Sequence, residues 1–367
     1  MYPVFLSGPL SHAPLMASIL GAVPPLARAL VAGTGGRFVG RPGHFALRPD
    51  EGAQVGGLAL TDATPDAMAR LEFYTQAVGL GRQAVLMTGE NGPVQAVTHA
   101  LGCTPDAQPW DTELWLTGHA ALAIETAAEV MACYGQMPPA QVHARLGPIT
   151  VRAHSRLRAR DGQAPHTLRR APERITVQAR RQPYANFFAV EEYDLSFRRF
   201  DHSMSPVITR AAFVSADAVT VLPYDPQRDR VLLVEQMRTG PFGRGDGNPW
   251  QLEAIAGRID AGETPEACAR REACEEAGLT LGALLSVANY YPSPGAKTEF
   301  IYSYVALADL PDGVAGVFGV EDEAEDIRGH LLGFDQALAL VASGEIQNAP
   351  LLLTLLWLQR ERGSLRA

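Results

Sequence analysis

Little in this chain points to an oxidised, membrane-bound or nucleic-acid-binding protein. Its 367 residues include four cysteines, Cys103, Cys133, Cys268 and Cys274. They form no CxxC pair and no Cys/His zinc spacing, which argues against a disulfide scaffold and reads as small, reduced core residues of a cytosolic protein. No Lys/Arg cluster reaches the density of a nucleic-acid surface and the net charge is -9, so no nucleic-acid partner is expected. The apolar run from Pro350 to Leu358 covers about half a bilayer span, so no membrane segment is expected. The opening MYPVFLSGPLSHAPL has no basic n-region and is broken by prolines; it does not read as a signal peptide, and a cytoplasmic location follows. Neither an internal repeat nor a low-complexity tract is present.

What remains is an ordinary globular composition, 47% hydrophobic, in a chain too long for one domain. Residues 1–103 carry short apolar runs (Tyr2 to Leu6, Val55 to Leu60, Gln83 to Met87) and a helical stretch at Pro65 to Tyr74, the texture of a small α+β domain. Residues 104–173 read as a helical connector ending in a basic, flexible linker, dense in arginine from 153. From 174 to 367 strands dominate. The hairpin 218–225 and 230–238 turns at PQRD, further strands fall near 283–291 and 299–306, and helices near 334–343 and 349–362 close the chain.

The densest information lies in 257–279, GRIDAGETPEACARREACEEAGL. Thr264 is a good N-cap, Pro265 suits the first helical turn and Gly278 is a plausible stop, so 265–277 should form one helix. On it Glu272, Glu275 and Glu276 share roughly one face. Like charges so placed cost a free helix a few tenths of a kcal/mol per pair, so the arrangement makes most sense with cations over that face. Oxygen-only ligands suit Mg2+, with Mn2+ as the alternative, hard ions that also bind substrate phosphates. Arg271 should fix one of the glutamates by a bidentate contact, and Glu263 in the preceding loop is its expected partner.

These positions fill the pattern G-x5-E-x7-R-E-U-x-E-E-x-G-U, with Ala273 and Leu279 at the apolar U positions. That pattern is the Nudix box, and the chain resembles the Nudix hydrolases, metal-dependent enzymes that cleave a nucleoside diphosphate linked to another group. The resemblance implies an α/β/α sandwich with a mixed sheet for 174–367. Flanking segments sharpen it to the ADP-ribose pyrophosphatases and related nucleotide-sugar hydrolases: EQMR (235–238), NPWQLEAIAG (248–257), YYPSPGAKTE (290–299), EAEDI (323–327) and NAPLLLTLLWL (348–358). Carried over by position, Glu272 and Glu276 resemble metal carboxylates, Glu275 a shared ligand, the Ala256 carbonyl a further one, Glu325 a ligand from a mobile loop and Glu323 the catalytic base. Arg238 resembles a contact to the diphosphate or terminal ribose, Trp250 an adenine platform or a dimer-core residue, Pro294 the position associated with ADP-ribose specificity, and Glu299 a substrate contact. Glu253 reads as structural. The strands over 174–213 resemble a segment this subfamily exchanges between protomers, which implies a homodimer through this domain.

Residues 3 to 98 resemble, through VFLSGPL (4–10), GGLALTD (56–62) and ARLEFY (69–74), the γ-glutamylcyclotransferase-like fold, a small α+β barrel. Ser7-Gly8-Pro9-Leu10 lacks that family's tyrosine, and Pro9 removes a backbone N–H from the loop. Glu72 falls where the family places an acid/base glutamate. The two-domain chain also resembles bacterial Nudix proteins linked to tellurite resistance. The expected activity is hydrolysis of ADP-ribose or a related nucleotide sugar. The alternatives are GDP-mannose or another ADP-sugar, a non-catalytic ADP-ribose sensor, and γ-glutamyl cyclotransfer by the first domain.

Overall fold

The computed structural model describes residues 2–39, 44–102, 107–162, 167–169, 173–320 and 325–366. Two compact units divide the chain, Met1–Thr167 and Leu168–Ala367.

In the first unit six strands form one sheet: β1 (Val4–Ser7), β2 (Ala27–Phe38), β3 (Phe45–Leu60), β4 (Gly81–Gly89), β5 (Gly92–Ala100) and β6 (Gln108–Pro109). The order β3-β1-β5-β4-β2, with β2 pairing back onto β3, closes a five-stranded barrel, and β6 adds to β2. Among these strands β1 and β5 run parallel and the other pairs antiparallel. Period-two alternation sorts β1 between two cores. Phe5 points inward with Val31, Phe45 and Met87, whereas Val4 and Leu6 face a helical layer. That layer comprises α1 (Ala13–Leu20), α2 (Pro65–Ala77), α3 (Thr112–Gly118), α4 (Ala120–Ala132), α5 (Pro139–His143) and α6 (Leu146–Asp161). Thr64 caps α2, its hydroxyl accepting the Ala67 N–H at 3.1 Å.

Of the stretch read above as a connector, Thr112–Asp161 is largely helical and supplies Trp115, Ala123, Val130 and Ile149 to the first unit's core. Arg152 is buried and donates Nε–H to buried Glu129 at 2.7 Å, and Arg156 pairs with the same carboxylate. A buried carboxylate held by two guanidiniums ties α6 to α4, and removing one partner would leave an uncompensated charge.

The second unit opens with an antiparallel sheet of β7 (Thr176–Ala185), β8 (Ala189–Ser196) and β9 (Ile208–Val214). The remaining strands are β10 (Ala218–Asp225), β11 (Arg230–Met237), β12 (Trp250–Glu253), β13 (Ile255–Arg258), β14 (Leu284–Tyr290), β15 (Ile301–Leu307), β16 (Val317–Phe318) and β17 (Ile327–Gly333). They form a mixed sheet of order β14-β15-β10-β11-β17-β16, with β12 on β11 and β13 on β10. β10 and β15 are parallel. The helices that accompany it are α7 (Thr239–Arg244), α8 (Pro265–Ala277), α9 (Phe334–Ser343) and α10 (Ala349–Leu365). β10 is buried on both faces, as a central strand must be. Val219 and Val221 pack with Cys268, Ala269, Ala273 and Ala277 of α8, while Leu222 and Tyr224 pack with Phe334 of α9 and Leu351, Leu355 and Leu358 of α10. Each fully buried leucine contributes about 2–3 kcal/mol. The result is the α/β/α sandwich, with small residues letting α8 approach the sheet closely.

Candidate active site

The box helix α8 starts and stops where its residues dictate. Thr264 Oγ1 accepts the Ala267 N–H at 3.2 Å, and Gly278 leaves the helix in the left-handed region at φ 61°. The Leu279 N–H then bonds back to the Ala273 carbonyl at 2.9 Å, closing the C-terminus. Between these caps the helix presents Glu272 and Glu276 toward β13.

Arg271 organises them. It grips Glu263 with two bonds, Nε–H to Oε1 and Nη2–H to Oε2, both 3.0 Å, the bidentate pair the sequence predicts. Its Nη1 donates to Glu272 Oε1 at 2.7 Å and Glu275 Oε2 at 3.0 Å, and Nη2 donates to the Arg258 carbonyl at 3.2 Å. One guanidinium therefore sets the loop, the helix and β13 against one another. Burial acts to raise the Glu263 pKa, but the bonds from Arg271 win and hold its carboxyl below the usual range.

Glu276 is 2% exposed, and its Oε2 accepts the Ala256 N–H at 3.1 Å. Gly257 beside it has no room for a side chain, because a Cβ there would stand 1.8 Å from Glu272 Oε1. The glycine is thus required by the carboxylate it faces. Burial pushes Glu272 up to about 7, Arg271 opposing and Glu275 and Glu325 adding to the rise. Burial likewise pushes Glu276 up to about 8, against the Ala256 N–H and Arg238, with Glu272 and Glu325 reinforcing it. Two mutually repelling carboxylates, one buried and one half-buried, are poised to gain from a cation.

Arg238, at the end of β11, donates Nε–H and Nη2–H to Glu253 Oε2 at 2.9 and 2.6 Å. Glu253 also accepts from Asn348 Nδ2 at 2.9 Å, and Asn348 in turn caps α10. Glu253 is therefore a holder of Arg238, and the charges of Glu276 and Glu325 also act on that guanidinium. Glu325 Oε2 accepts the Val320 N–H at 3.2 Å. Glu323 lies outside the described residues. Trp250, half exposed on β12, sits in register with Met237. Pro294 is exposed in a turn; Glu299 pairs with Lys297 at 3.6 Å, and no described hydrogen bond or ion pair joins either residue to the α8 carboxylates. A cavity of about 680 Å3, lined in part by Asp225, Gln227, Thr280 and Asp309, includes none of these residues. Sequence reasoning passes over Asn348 as a site-supporting residue, although Asn-Ala-Pro before an apolar run is an N-cap signal. The stacking of Phe187 on the Arg258 guanidinium, 3.9 Å from the ring centre, has no local sequence signal.

Among the described residues no group of three or more His, Cys, Asp or Glu is placed to hold a metal ion. The donor set still fits a hard divalent cation, which takes one or two carboxylates and completes its shell with water and substrate phosphate.

A family model for the NUDIX domain matches residues 214–355. The ADP-ribose pyrophosphatase of Escherichia coli (strain K12) is 38% identical over 192 residues, 52% of this chain and 91% of that protein. The chain belongs to the Nudix hydrolase family. A Haemophilus influenzae relative of this Nudix hydrolase, also named ADP-ribose pyrophosphatase, is 34% identical over 187 residues, 50% of this chain and 86% of that protein. The GDP-mannose pyrophosphatase of Yersinia pestis (strain Pestoides F) is 33% identical over 174 residues, 47% of this chain and 86% of that protein. The Nudix unit thus carries the family likeness.

The first unit bears the remaining candidate. Glu72 lies on α2, its Oε1 accepting from Gln76 Nε2 at 2.9 Å and its Oε2 lying 3.6 Å from His99 Nε2. No helix is long and apolar enough to cross a membrane among the described residues.

Proposed function

We propose that this Nudix hydrolase cleaves the diphosphate of ADP-ribose to AMP and ribose 5-phosphate, using a divalent cation, Mg2+ or Mn2+. The observation that carries the reading is the convergence of half-buried Glu272 and buried Glu276 on the backbone of Ala256 and Gly257, beside Arg238. Glu272, Glu276 and the Ala256 carbonyl would hold the cation, with Glu275 and Glu325 as further ligands. When bound, it supplies charge neutralisation of the diphosphate and Lewis-acid activation of water.

The protein's own groups supply position and proton transfer. Arg271 keeps Glu272 and Glu263 in place, so the ligand oxygens need little reorganisation. Arg238, oriented by Glu253, contacts the diphosphate or the terminal ribose. Glu323 accepts the proton of the attacking water, a role resting on the resemblance. Trp250 stacks on the base, while Pro294 and Glu299 shape the nucleoside-sugar side.

The second reading is hydrolysis of GDP-mannose or another ADP-sugar, favoured by the Yersinia relative. A nucleotide-sugar panel with Mg2+ in 18O-labelled water, with products identified by mass, tests both. ADP-ribose should give the highest kcat/KM. A preference for GDP-mannose moves the assignment to the second reading, and no turnover of any nucleotide sugar refutes it.

A homodimer is part of the proposal. The segment around β7–β9 exposes Ile175, Val177, Tyr184, Phe200, Met204 and Val207, apolar side chains that a partner could cover. A second copy covering it would complete each active site. Light scattering should give about twice 39.4 kDa, and a monomeric mass with full activity counts against it.

A further inference from the structure

The first unit holds a pocket of about 280 Å3 whose walls include Val4 of β1, Met68 and Glu72 of α2, Arg82 of β4, and Val97 and His99 of β5. No group in it takes part in the reaction proposed above. His99 is 4% exposed, yet neither ring nitrogen has a hydrogen-bond partner. Glu72 Oε2 is 3.6 Å from Nε2, beyond normal hydrogen-bond length. Arg82 stands directly opposite His99 across the β4–β5 ladder, so the two side chains leave the sheet on the same face. No hydrogen bond or ion pair of the Arg82 guanidinium occurs among the described residues.

A buried imidazole whose Nδ1 has no hydrogen bond and whose Nε2 has only the long approach of Glu72 is costly unless something entering the pocket meets it. The nature of that something follows from the walls. A guanidinium with its fork unused is matched by a planar carboxylate, and His99 adds a second donor from the floor. Val4, Met68 and Val97 offer apolar surface for a short hydrocarbon body, and the volume limits the ligand to a small molecule. A phosphate dianion fits worse, since its second charge would face Glu72 with Arg82 as the one fixed cation among the described residues lining the pocket. A metal ion fits worse still beside that guanidinium. We infer that this pocket binds a small carboxylate with a short apolar body, held by Arg82 and His99. Glu72 either orients the His99 proton or receives an ammonium group if the ligand carries one.

The site lies wholly within the first unit and stands independently of the hydrolase reading. Isothermal titration of the full chain tests it with four probes: butyrate, norvaline, n-butylamine and inorganic phosphate. Butyrate or norvaline should bind saturably, and Arg82→Gln and His99→Gln should each weaken binding at least tenfold with an unchanged thermal transition. Tighter binding of norvaline supports the site with Glu72 reading the ammonium; tighter binding of butyrate supports it with Glu72 serving His99. Arg82 is exposed, so its variant remains informative even if His99→Gln perturbs folding. Absence of binding by both carboxylates, equal binding of n-butylamine or phosphate, or full affinity in Arg82→Gln would overturn the inference.

Discussion

Glu276→Gln should separate stability from activity. The folded chain holds the Glu276 proton with a pKa of about 8 against an ordinary 4.5. Unfolding therefore releases a proton wherever the pH lies between those values, and stability must fall as pH rises through that window. Below pH 4.5 the carboxyl is neutral in both states and the effect vanishes; above about 8 it is constant. Integration gives a loss of about 1 kcal/mol at pH 5.5 and about 4 kcal/mol at pH 8, a difference of at most about 3 kcal/mol. The glutamine of the variant keeps the shape, can still accept the Ala256 N–H, and cannot ionise. With EDTA present, urea unfolding followed by pulsed hydrogen exchange in β10 and β15 should therefore show the parent losing about 3 kcal/mol more than the variant between pH 5.5 and 8. Added Mg2+ should recover stability in the parent at pH 8 and much less in the variant. Turnover should move the other way, falling by roughly a thousandfold, because the variant lacks a charged ligand. Equal pH slopes would refute the electrostatic reasoning, and near-parental hydrolysis would refute the site.

Three further substitutions probe the same geometry. Gly257→Ala must displace Glu272, whose Oε1 lies 1.8 Å from the added methyl position, and should cut kcat by roughly a hundredfold with native circular dichroism; parental turnover would show that Glu272 has another workable position. Arg271→Lys keeps the charge but loses the fork on Glu263 and the simultaneous bonds to Glu272 and Glu275. kcat/KM should fall by about 10- to 100-fold, and an unchanged value would mean that charge alone suffices. Arg238→Ala should raise KM about tenfold or more, with a smaller change in kcat, if its role is substrate binding; steady-state kinetics on ADP-ribose distinguish this from a purely structural loss, which would lower thermal stability without moving KM.

Legibility in the sequence followed the range of the interactions. Signals read over a few neighbours succeeded: Thr264, Pro265 and Gly278 bounded α8 at 265–277, and the PQRD turn placed β10 and β11. The barrel hairpin of β2 and β3 escaped because Gly33, Gly35 and Gly36 blur the alternation and residues 48–54 in the middle of β3 include no buried position. Charge pairing is hidden for the same reason. No local pattern marks Arg152 as the partner of Glu129, 23 residues away. His99 and Glu72 meet across 27 residues with no pattern linking them. The box glycine shows the other limit. Its place in the motif is plain, but a motif states only that position 257 is glycine. The reason lies in the space itself: Glu272 occupies the volume where a Cβ would be, on the same turn of backbone whose Ala256 N–H holds Glu276. One residue without a side chain thus lets two carboxylates from a helix close on a strand, and the bond from Arg271 to Glu272 keeps one of them there. The spacing in the motif is the imprint of that three-way fit, so a substitution that preserves charge but adds volume at 257 should lower turnover as loss of a carboxylate does, by a smaller factor.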